Sequence, residues 1–554
     1  MSKKKQKKPQ EDPLLTAGMI KSQYGVPKNT IRHYFPKPDE LRYMKKAGYY
    51  LEFWRKSRVE RAIQIPEVKA EIDRRQKSLI FAKQTEEIRP LLEAYGPDSI
   101  LERGKKLKRA FILHVGPTNS GKTHDALRSL MESGNGTYLG PLRLLALEMF
   151  DRMNAAGAPC SLLTGEESIE TENAALVSST IELCNFSRRF QVAVIDEAQL
   201  ITDPSRGAAW LRAICLVDAA EVHICLAPEA RDIIENLVKS FGDPYVVVEH
   251  KRLVPLKYAG RCESFENVQK NDAVICFSRK NVLSTAARLE KMGFKASVIY
   301  GALPPQARRR EVERYTSGRT DIVVATDAIG LGVSLPIKRI IFAEVSKFDG
   351  KEQRLLNSAE IRQIAGRAGR YGMFNEGEVL TMDSSNLIKN GLNAMPKKAR
   401  MLCISFPREL LDSEYPIDLM LKIWRTLPSG GTYIREDMSD ALSLYSHIRD
   451  GVNENNRNLV FDLITCPVDT RVKELSHYWT DCAWAILKGR RVRKPHFDTE
   501  TLEGCELQYK AYDIRHQLLT RIGEEDECAQ QREEICRKIA SFMEKDKSGY
   551  IAPN

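Results

Sequence analysis

Gly116-Pro117-Thr118-Asn119-Ser120-Gly121-Lys122-Thr123 is a glycine-bounded loop that ends in a lysine and a threonine. Residues of these types at this spacing cradle phosphates. Gly116, Thr118, Ser120 and Gly121 shape a loop of backbone N–H groups, Lys122 brings a point charge to the outer phosphates, and the Thr123 hydroxyl is placed to ligate magnesium. Far downstream, Gln363-Ile364-Ala365-Gly366-Arg367-Ala368-Gly369-Arg370 carries two arginines three apart, so both share one helix face or turn and can point into one crevice. Arginine suits charge developing on a phosphoryl group because its planar fork stays protonated. Between the two motifs, Asp196 and Glu197 end the apolar run Val192–Ile195. Asp196 at that place can hold the metal, and Glu197 can orient or deprotonate an attacking water. Alone, an Asp-Glu pair after a strand is an ordinary helix start; behind a phosphate loop it reads as chemistry. Gln199 completes an Asp-Glu-Ala-Gln box, either as a sensor of the γ-phosphate or second domain or as a surface glutamine.

These residues need a scaffold that brings strand ends to one edge. Short apolar runs alternate with helical segments after the basic cluster Lys105–Arg109, the pattern of a parallel sheet wrapped in helices. Residues 111–115, 136–139, 176–178, 192–195 and 222–226 read as one series of strands. Residues 273–277, 296–299, 322–325, 339–342 and 378–381 read as a second. In that second series, Ala325-Thr326-Asp327-Ala328-Ile329-Gly330-Leu331-Gly332-Val333 follows a strand. Its small residues let backbone approach a ligand, so it reads as a coupling loop at the cleft between domains, with Gly332 on the nucleotide side. The fold class is therefore α/β, with two tandem parallel-sheet domains and helical N-terminal and C-terminal accessory regions. The boundaries fall at 1–13 for a basic disordered arm, 14–64 for a small helical unit and 65–109 for a helical linker. Residues 110–250 form the nucleotide-binding domain, 251–385 the second domain and 386–554 a helical C-terminal region. Within 14–64, two short helices around Gly25-Val26-Pro27 fit either a helix-turn-helix or a plain helical cap.

Composition narrows the class. A chain of 554 residues exceeds one hydrophobic core. No apolar run is long enough to span a membrane, so no membrane partner is expected. The lysine-rich start lacks both a following apolar segment and the arginine- and serine-rich look of a transit peptide, which sets the expectation of a cytoplasmic location. A net charge of +11 suits a polyanion partner. The twelve cysteines are scattered without a Cys-x-x-Cys pair, so reduced thiols are expected rather than a zinc module or disulfides. Oligomeric state is not legible.

The set from Gly116–Thr123 through Asp196-Glu197-Ala198-Gln199, Tyr300-Gly301-Ala302-Leu303-Pro304-Pro305 and Thr326-Asp327-Ala328-Ile329-Gly330 to Gln363–Arg370 resembles the Suv-three-like RNA helicases of superfamily two. The resemblance spans about residues 110–381. It implies two RecA-like domains, ATP and Mg2+ as cofactors, and translocation on single-stranded RNA with duplex unwinding in RNA turnover, alongside an exoribonuclease. Carried over by position, Gln363, Arg367 and Arg370 face the ATP and Asp327 couples cleft to strand. Arg143, Thr164, Ser278, Arg279 and Thr326 lie beside the nucleic acid. Leu226-Ala227-Pro228-Glu229 lacks an expected glycine, and Ser334 stands where an asparagine is expected. The missing mitochondrial address points to a cytoplasmic, bacterial-type relative. Two other readings stay open: a DNA helicase, with DNA as partner, and an ATP-driven clamp that recruits a nuclease or ribosome without processive unwinding.

Overall fold

The computed structural model describes residues 12–544 except 27, 35, 46–47, 95–96, 166, 331–334, 351, 384–385 and 428–430. The basic arm up to residue 11, Gly332 and Ser334 thus lie outside the described residues. Two compact units divide the chain, one ending at Glu93 and the other beginning at Ala94.

The first unit holds β1 (Leu14–Thr16), α1 (Ala17–Tyr24), α2 (Lys28–Tyr34), β2 (Glu40–Met44), β3 (Tyr49–Arg55), α3 (Lys56–Ile63) and most of α4 (Pro66–Ala94). The Thr16 hydroxyl caps α1, and Gly25 ends it in a left-handed conformation (φ 68°) that a residue with a Cβ adopts at a cost. Leu15, Ile20, Val26, Ile31, Trp54, Val59, Val68 and Ile72 form its private core. The expected all-helical unit is instead mixed: β1, β3 and β2 form a three-stranded antiparallel sheet in that order. All five residues of β2 are exposed, so it shows no apolar alternation and its sequence hides a strand.

In the second unit α5 (Pro97–Lys105) precedes β4 (Ala110–Val115), α6 (Lys122–Ser133), β5 (Gly136–Gly140), α7 (Arg143–Ala155), β6 (Cys160–Leu163), β7 (Ser168–Ile169), β8 (Leu176–Thr180) and β9 (Phe190–Ile195). α8 (Gly207–Leu216), β10 (Ala219–Leu226), α9 (Arg231–Phe241) and β11 (Tyr245–Glu249) complete the first sheet domain. Its order is β11-β4-β10-β9-β5-β8-β6-β7, parallel except at β7. The loops after β4 and β9, next to β10 between them, leave at the same sheet edge, where such folds bind ligands. Arg109, from the basic cluster, is not a surface charge. Its guanidinium is buried and donates to the carbonyls of Ile214, Cys215 and Val217, closing the C-terminal end of α8.

The second sheet comprises β12 (Leu256–Arg261), β13 (Asp272–Ile275), α10 (Arg279–Lys291), β14 (Ala296–Ile299), α11 (Pro305–Thr316), β15 (Ile322–Ala325) and β16 (Arg339–Phe342). After the hairpin β17 (Ser346–Phe348) and β18 (Gln353–Leu355), α12 (Ser358–Ala365) leads to β19 (Gly377–Thr381) and α13 (Leu387–Asn393). The order β12-β19-β16-β13-β15-β14 is wholly parallel, and β13 to β16 are buried throughout, which is why they read as continuous apolar runs.

The C-terminal region is helical apart from a parallel pair, β20 (Leu402–Ile404) and β21 (Tyr433–Arg435). Its helices are α14 (Ile417–Thr426), α15 (Ser439–Ile448), α16 (Arg457–Ile464), α17 (Lys473–Leu487), α18 (Leu502–Arg521) and α19 (Ala529–Glu544). Cys505, Tyr509 and Tyr512 of α18 and Ile535 and Ile539 of α19 share one core with Leu283, Val298 and Leu303, joining this region to the second sheet domain. All twelve cysteines are buried and unbridged. Among the described residues, no helix is long and apolar enough to cross a membrane.

Candidate active site

β4 delivers the phosphate loop and α6 starts at Lys122. Gly116 N–H donates to the Leu226 carbonyl at 3.1 Å, and a Cβ at Gly116 would fall 2.7 Å from the His250 carbonyl oxygen. Asn119 (φ 61°) and Gly121 (φ 82°) are left-handed, the alternation that gathers N–H groups into an anion-binding concavity at a helix start. Lys122 is buried and its Nζ donates to the Pro117 carbonyl at 3.2 Å.

Thr123 Oγ1 lies 3.2 Å from Asp196 Oδ1, so the two oxygen donors assigned to magnesium face each other. They fit a hard cation, which takes oxygen ligands. Tyr138 donates to Asp196 Oδ2 at 2.9 Å and the Glu197 N–H to Oδ1 at 2.9 Å, fixing the carboxylate. Burial and the neighbouring Glu197 push the Asp196 carboxyl up to about 6, against the pull of Lys122. Glu197 is left-handed (φ 51°), a strained backbone for a residue with a Cβ. The Gln199 amide donates to the Glu197 carboxylate, while its oxygen accepts from the Ala227 N–H at 3.1 Å. Gln199 is thus neither a free surface glutamine nor, in this arrangement, a contact to the second domain; it links Glu197 to the loop after β10. Beneath the phosphate loop, His114 bonds His223 at 2.9 Å and His250 at 3.0 Å. Burial and those imidazoles push His114 down to about 4, so its ring is neutral at physiological pH.

The two sheet domains meet across this loop. Asn119 donates to the Gly366 carbonyl at 3.2 Å, and Arg252 bridges the carbonyls of Thr118 (3.0 Å) and Gly366 (2.8 Å) and also reaches that of Ala368. A Cβ at Gly366 would sit 2.8 Å from the Thr118 Cβ, so only glycine permits this approach. α12 ends at Ala365, which puts Gln363 in its last turn and Arg367 and Arg370 in the turn beyond. Arg367 donates to the Gly330 carbonyl at 2.6 and 3.1 Å, tying the arginine turn to the loop after β15. Asp327 pairs with Lys347 at 2.8 Å, and Lys347 pairs in turn with Glu360 at 2.7 Å. Burial alone would raise Glu360, yet bonds from Arg354 and Lys347 hold it at about 2.

A cavity of about 670 Å³ is lined by the same two domains together with the C-terminal region. Pro141, Arg143, Thr180, Glu182, Arg206 and Arg212 line it from the first domain, Gly301–Pro305 and Arg308 from the second, and Glu436, Lys510, Asp513 and Arg521 from the C-terminal region. Arg308 Nε is buried without a hydrogen-bond partner, while Nη2 donates to the carbonyls of Tyr300 and Gly301. Of the five residues assigned to nucleic acid, Arg143 lines this groove. Thr164 closes its own turn with Glu167, and Ser278 caps α10. Thr326 is buried, its N–H on the Ile299 carbonyl at 2.9 Å. Arg143 and Arg279 are held by carboxylates of α18: Arg143 by Asp513 at 3.2 Å, Arg279 by Glu506 at 2.9 Å and Glu503 at 2.7 Å. Arg252, Arg308 and Asp513 carry no sequence signal of their own, since each sits in mixed-charge sequence outside the motifs.

Two parallel-sheet domains, a phosphate loop on one and an arginine turn of the other set against it, define a two-domain helicase core. Residues 97–250 match the DEXQ-box helicase domain of Suv3 and residues 257–372 the helicase conserved C-terminal domain. It is 38% identical over 315 residues to the mitochondrial ATP-dependent RNA helicase SUPV3L1 of Homo sapiens, covering 54% of this chain and 40% of that one. It is 44% identical over 291 residues to the mitochondrial ATP-dependent RNA helicase SUV3 of Oryza sativa, covering 51% and 50%. The chain spans about half the length, or less, of these relatives. A structure of S. cerevisiae Dbp5 bound to RNA and ADP BeF3 overlaps 65% of this chain and 93% of that one, at 16% identity and a TM-score of 0.41. The cytoplasmic expectation does not stand: the relatives are mitochondrial by name and point to mitochondria. That expectation rested on a missing amphipathic pattern, and such an absence does not decide a compartment.

Proposed function

We propose that this chain is an ATP-dependent RNA helicase that moves along single-stranded RNA and opens duplexes. The observation that carries the reading is the Arg252 bridge from Thr118 to Gly366, together with the Asn119 bond to Gly366. Any change at the phosphate loop bears through these contacts on the arginine turn, and Arg367 passes it to the loop after β15. Lys122 and the loop amides bind the outer phosphates of ATP. Thr123 and Asp196 hold Mg2+, which supplies neutralising charge to those phosphates when bound. Glu197, steadied by Gln199, orients the attacking water and takes its proton. Arg367 and Arg370 stand at the opposing wall, where they stabilise charge on the transferring phosphoryl group. Arg143, Arg206, Arg212, Arg308 and Arg521 give the groove the charge that a phosphate backbone needs, and the unpartnered Nε of Arg308 is a donor without an acceptor.

The relatives' names favour RNA over DNA as the strand. The test compares ATP turnover with matched single-stranded RNA and DNA. Stimulation by RNA, lost in Arg308→Ala while basal turnover stays, supports the proposal. Equal turnover with and without either strand would sink it.

A further inference from the structure

The N-terminal unit has features that the ATP cleft and its groove leave unused. β2 and β3 form a hairpin in the register Tyr43↔Tyr50, with Leu41↔Glu52 on the same face and Met44↔Tyr49 on the other. Tyr43 is 54% exposed, Tyr50 64% and Tyr49 56%. The Tyr43 and Tyr50 rings touch, centroids 5.1 Å apart. Three exposed aromatics on one short hairpin keep a large apolar area in water, which a protein sustains for a ligand with flat rings. α2 lies beside the same face: Arg32 reaches Glu52 at 3.0 Å and stays 53% exposed. Residues 14–63 carry eleven lysines and arginines against four acidic residues. Two short helices around a tight turn, followed by an antiparallel hairpin, present a helix and a wing side by side on a private core.

We propose that this winged unit is a second nucleic-acid site, in which Tyr43 and Tyr50 stack on unpaired bases of RNA while Arg32 and Lys45, the latter exposed in the turn directly after β2, hold its phosphates. Stacking on aromatic rings beside cations is how proteins grip single strands without reading sequence, and every base offers a face. An A-form duplex buries its base faces and closes its major groove to side chains, so exposed rings favour the unpaired strand. The choice of RNA over DNA rests on the helicase reading; the stacking site does not.

The experiment uses the full chain without nucleotide and a fluorescent 20-nucleotide single-stranded RNA. The pair Tyr43→Ala/Tyr50→Ala is expected to weaken binding by about thirtyfold or more, since each of the two stacked bases is worth about 1–3 kcal/mol. Tyr43→Phe/Tyr50→Phe keeps the rings and is expected to stay within about twofold of the parent. ATP turnover without RNA should be the same in all three proteins. Unchanged affinity in the alanine pair overturns the proposal and is the outcome expected if the hairpin instead holds a protein. So does a larger loss of binding in the alanine pair with a duplex DNA of the same length, measured on the full chain, than with the single-stranded RNA. RNA-stimulated ATP turnover in the parent chain separates the two readings. Stimulation with no effect of the alanine pair removes the stacking site alone, and ring-dependent binding without stimulation removes the helicase reading alone.

Discussion

At the scale of residues, the cleft turns on groups held in costly states. Glu197 sits in a left-handed backbone and Asp196 keeps a carboxyl near 6 beside Lys122. Both features make sense where phosphate and a cation are to be received. Glu197→Gln is expected to lower the ATP hydrolysis rate by about two to three orders of magnitude, with nucleotide affinity within a few-fold of the parent. Lys122→Ala is expected to lose nucleotide binding itself. Rapid hydrolysis in either variant, followed as phosphate release, would contradict the assignments. Arg252 makes a separate prediction because it touches both domains. Arg252→Ala removes charged hydrogen bonds worth about 1.5–3 kcal/mol, so ATP affinity should fall by about tenfold or more in a filter-binding titration.

At the scale of elements, legibility followed burial. β4, β5, β8, β9 and β10 of one sheet and β13–β16 and β19 of the other were visible as apolar runs because they are covered on both faces, whereas β6, β7, β11 and β12 are partly or wholly exposed and were not visible. Gly116–Thr123, Asp196-Glu197 and Gln363–Arg370 were visible because phosphate chemistry constrains neighbours in sequence. β2 was invisible because all of it is exposed. Arg252, Arg308 and α18 were invisible as site components because their roles depend on contacts far apart in sequence, such as Arg143 with Asp513. α18 carries its own prediction. Asp513→Asn releases Arg143 from an acidic partner, so RNA affinity should rise by about threefold to tenfold by fluorescence anisotropy, and an unchanged or weaker affinity would exclude competition between that carboxylate and RNA. β21 is followed by Glu436, a carboxyl at the groove that burial pushes up to about 7 from the ordinary 4.5. Between those values the folded chain binds a proton that the unfolded chain releases, so stability falls as pH rises toward 7 and the penalty is complete above it. Glu436→Gln should therefore stabilise the fold at pH 8 by about 2 kcal/mol and leave it nearly unchanged near pH 4.5, as read from thermal melts. A gap that does not narrow on acidification would contradict the buried charge.

At the scale of the whole molecule, two sheet domains share both the phosphate-loop cleft and a basic groove, and the C-terminal region completes that groove from Glu436 to Arg521. On the proposed reading the groove takes the phosphate backbone, so its grip should be sequence-neutral and should weaken steeply with salt. Arg252 and Arg367 join the phosphate loop, the arginine turn and the loop after β15 through the backbone carbonyls of Gly366 and Gly330, which side-chain substitution cannot remove, and this makes the two arginines the accessible joints. The central claim is that ATP turnover separates strands. Its most direct measurement is displacement of a short RNA duplex bearing a single-stranded RNA tail, with ATP and Mg2+, by the parent chain and by Glu197→Gln. The account predicts strand separation by the parent that requires ATP and is absent in the variant. ATP consumption by the parent with the duplex left intact would contradict it and would make the chain an ATP-driven clamp.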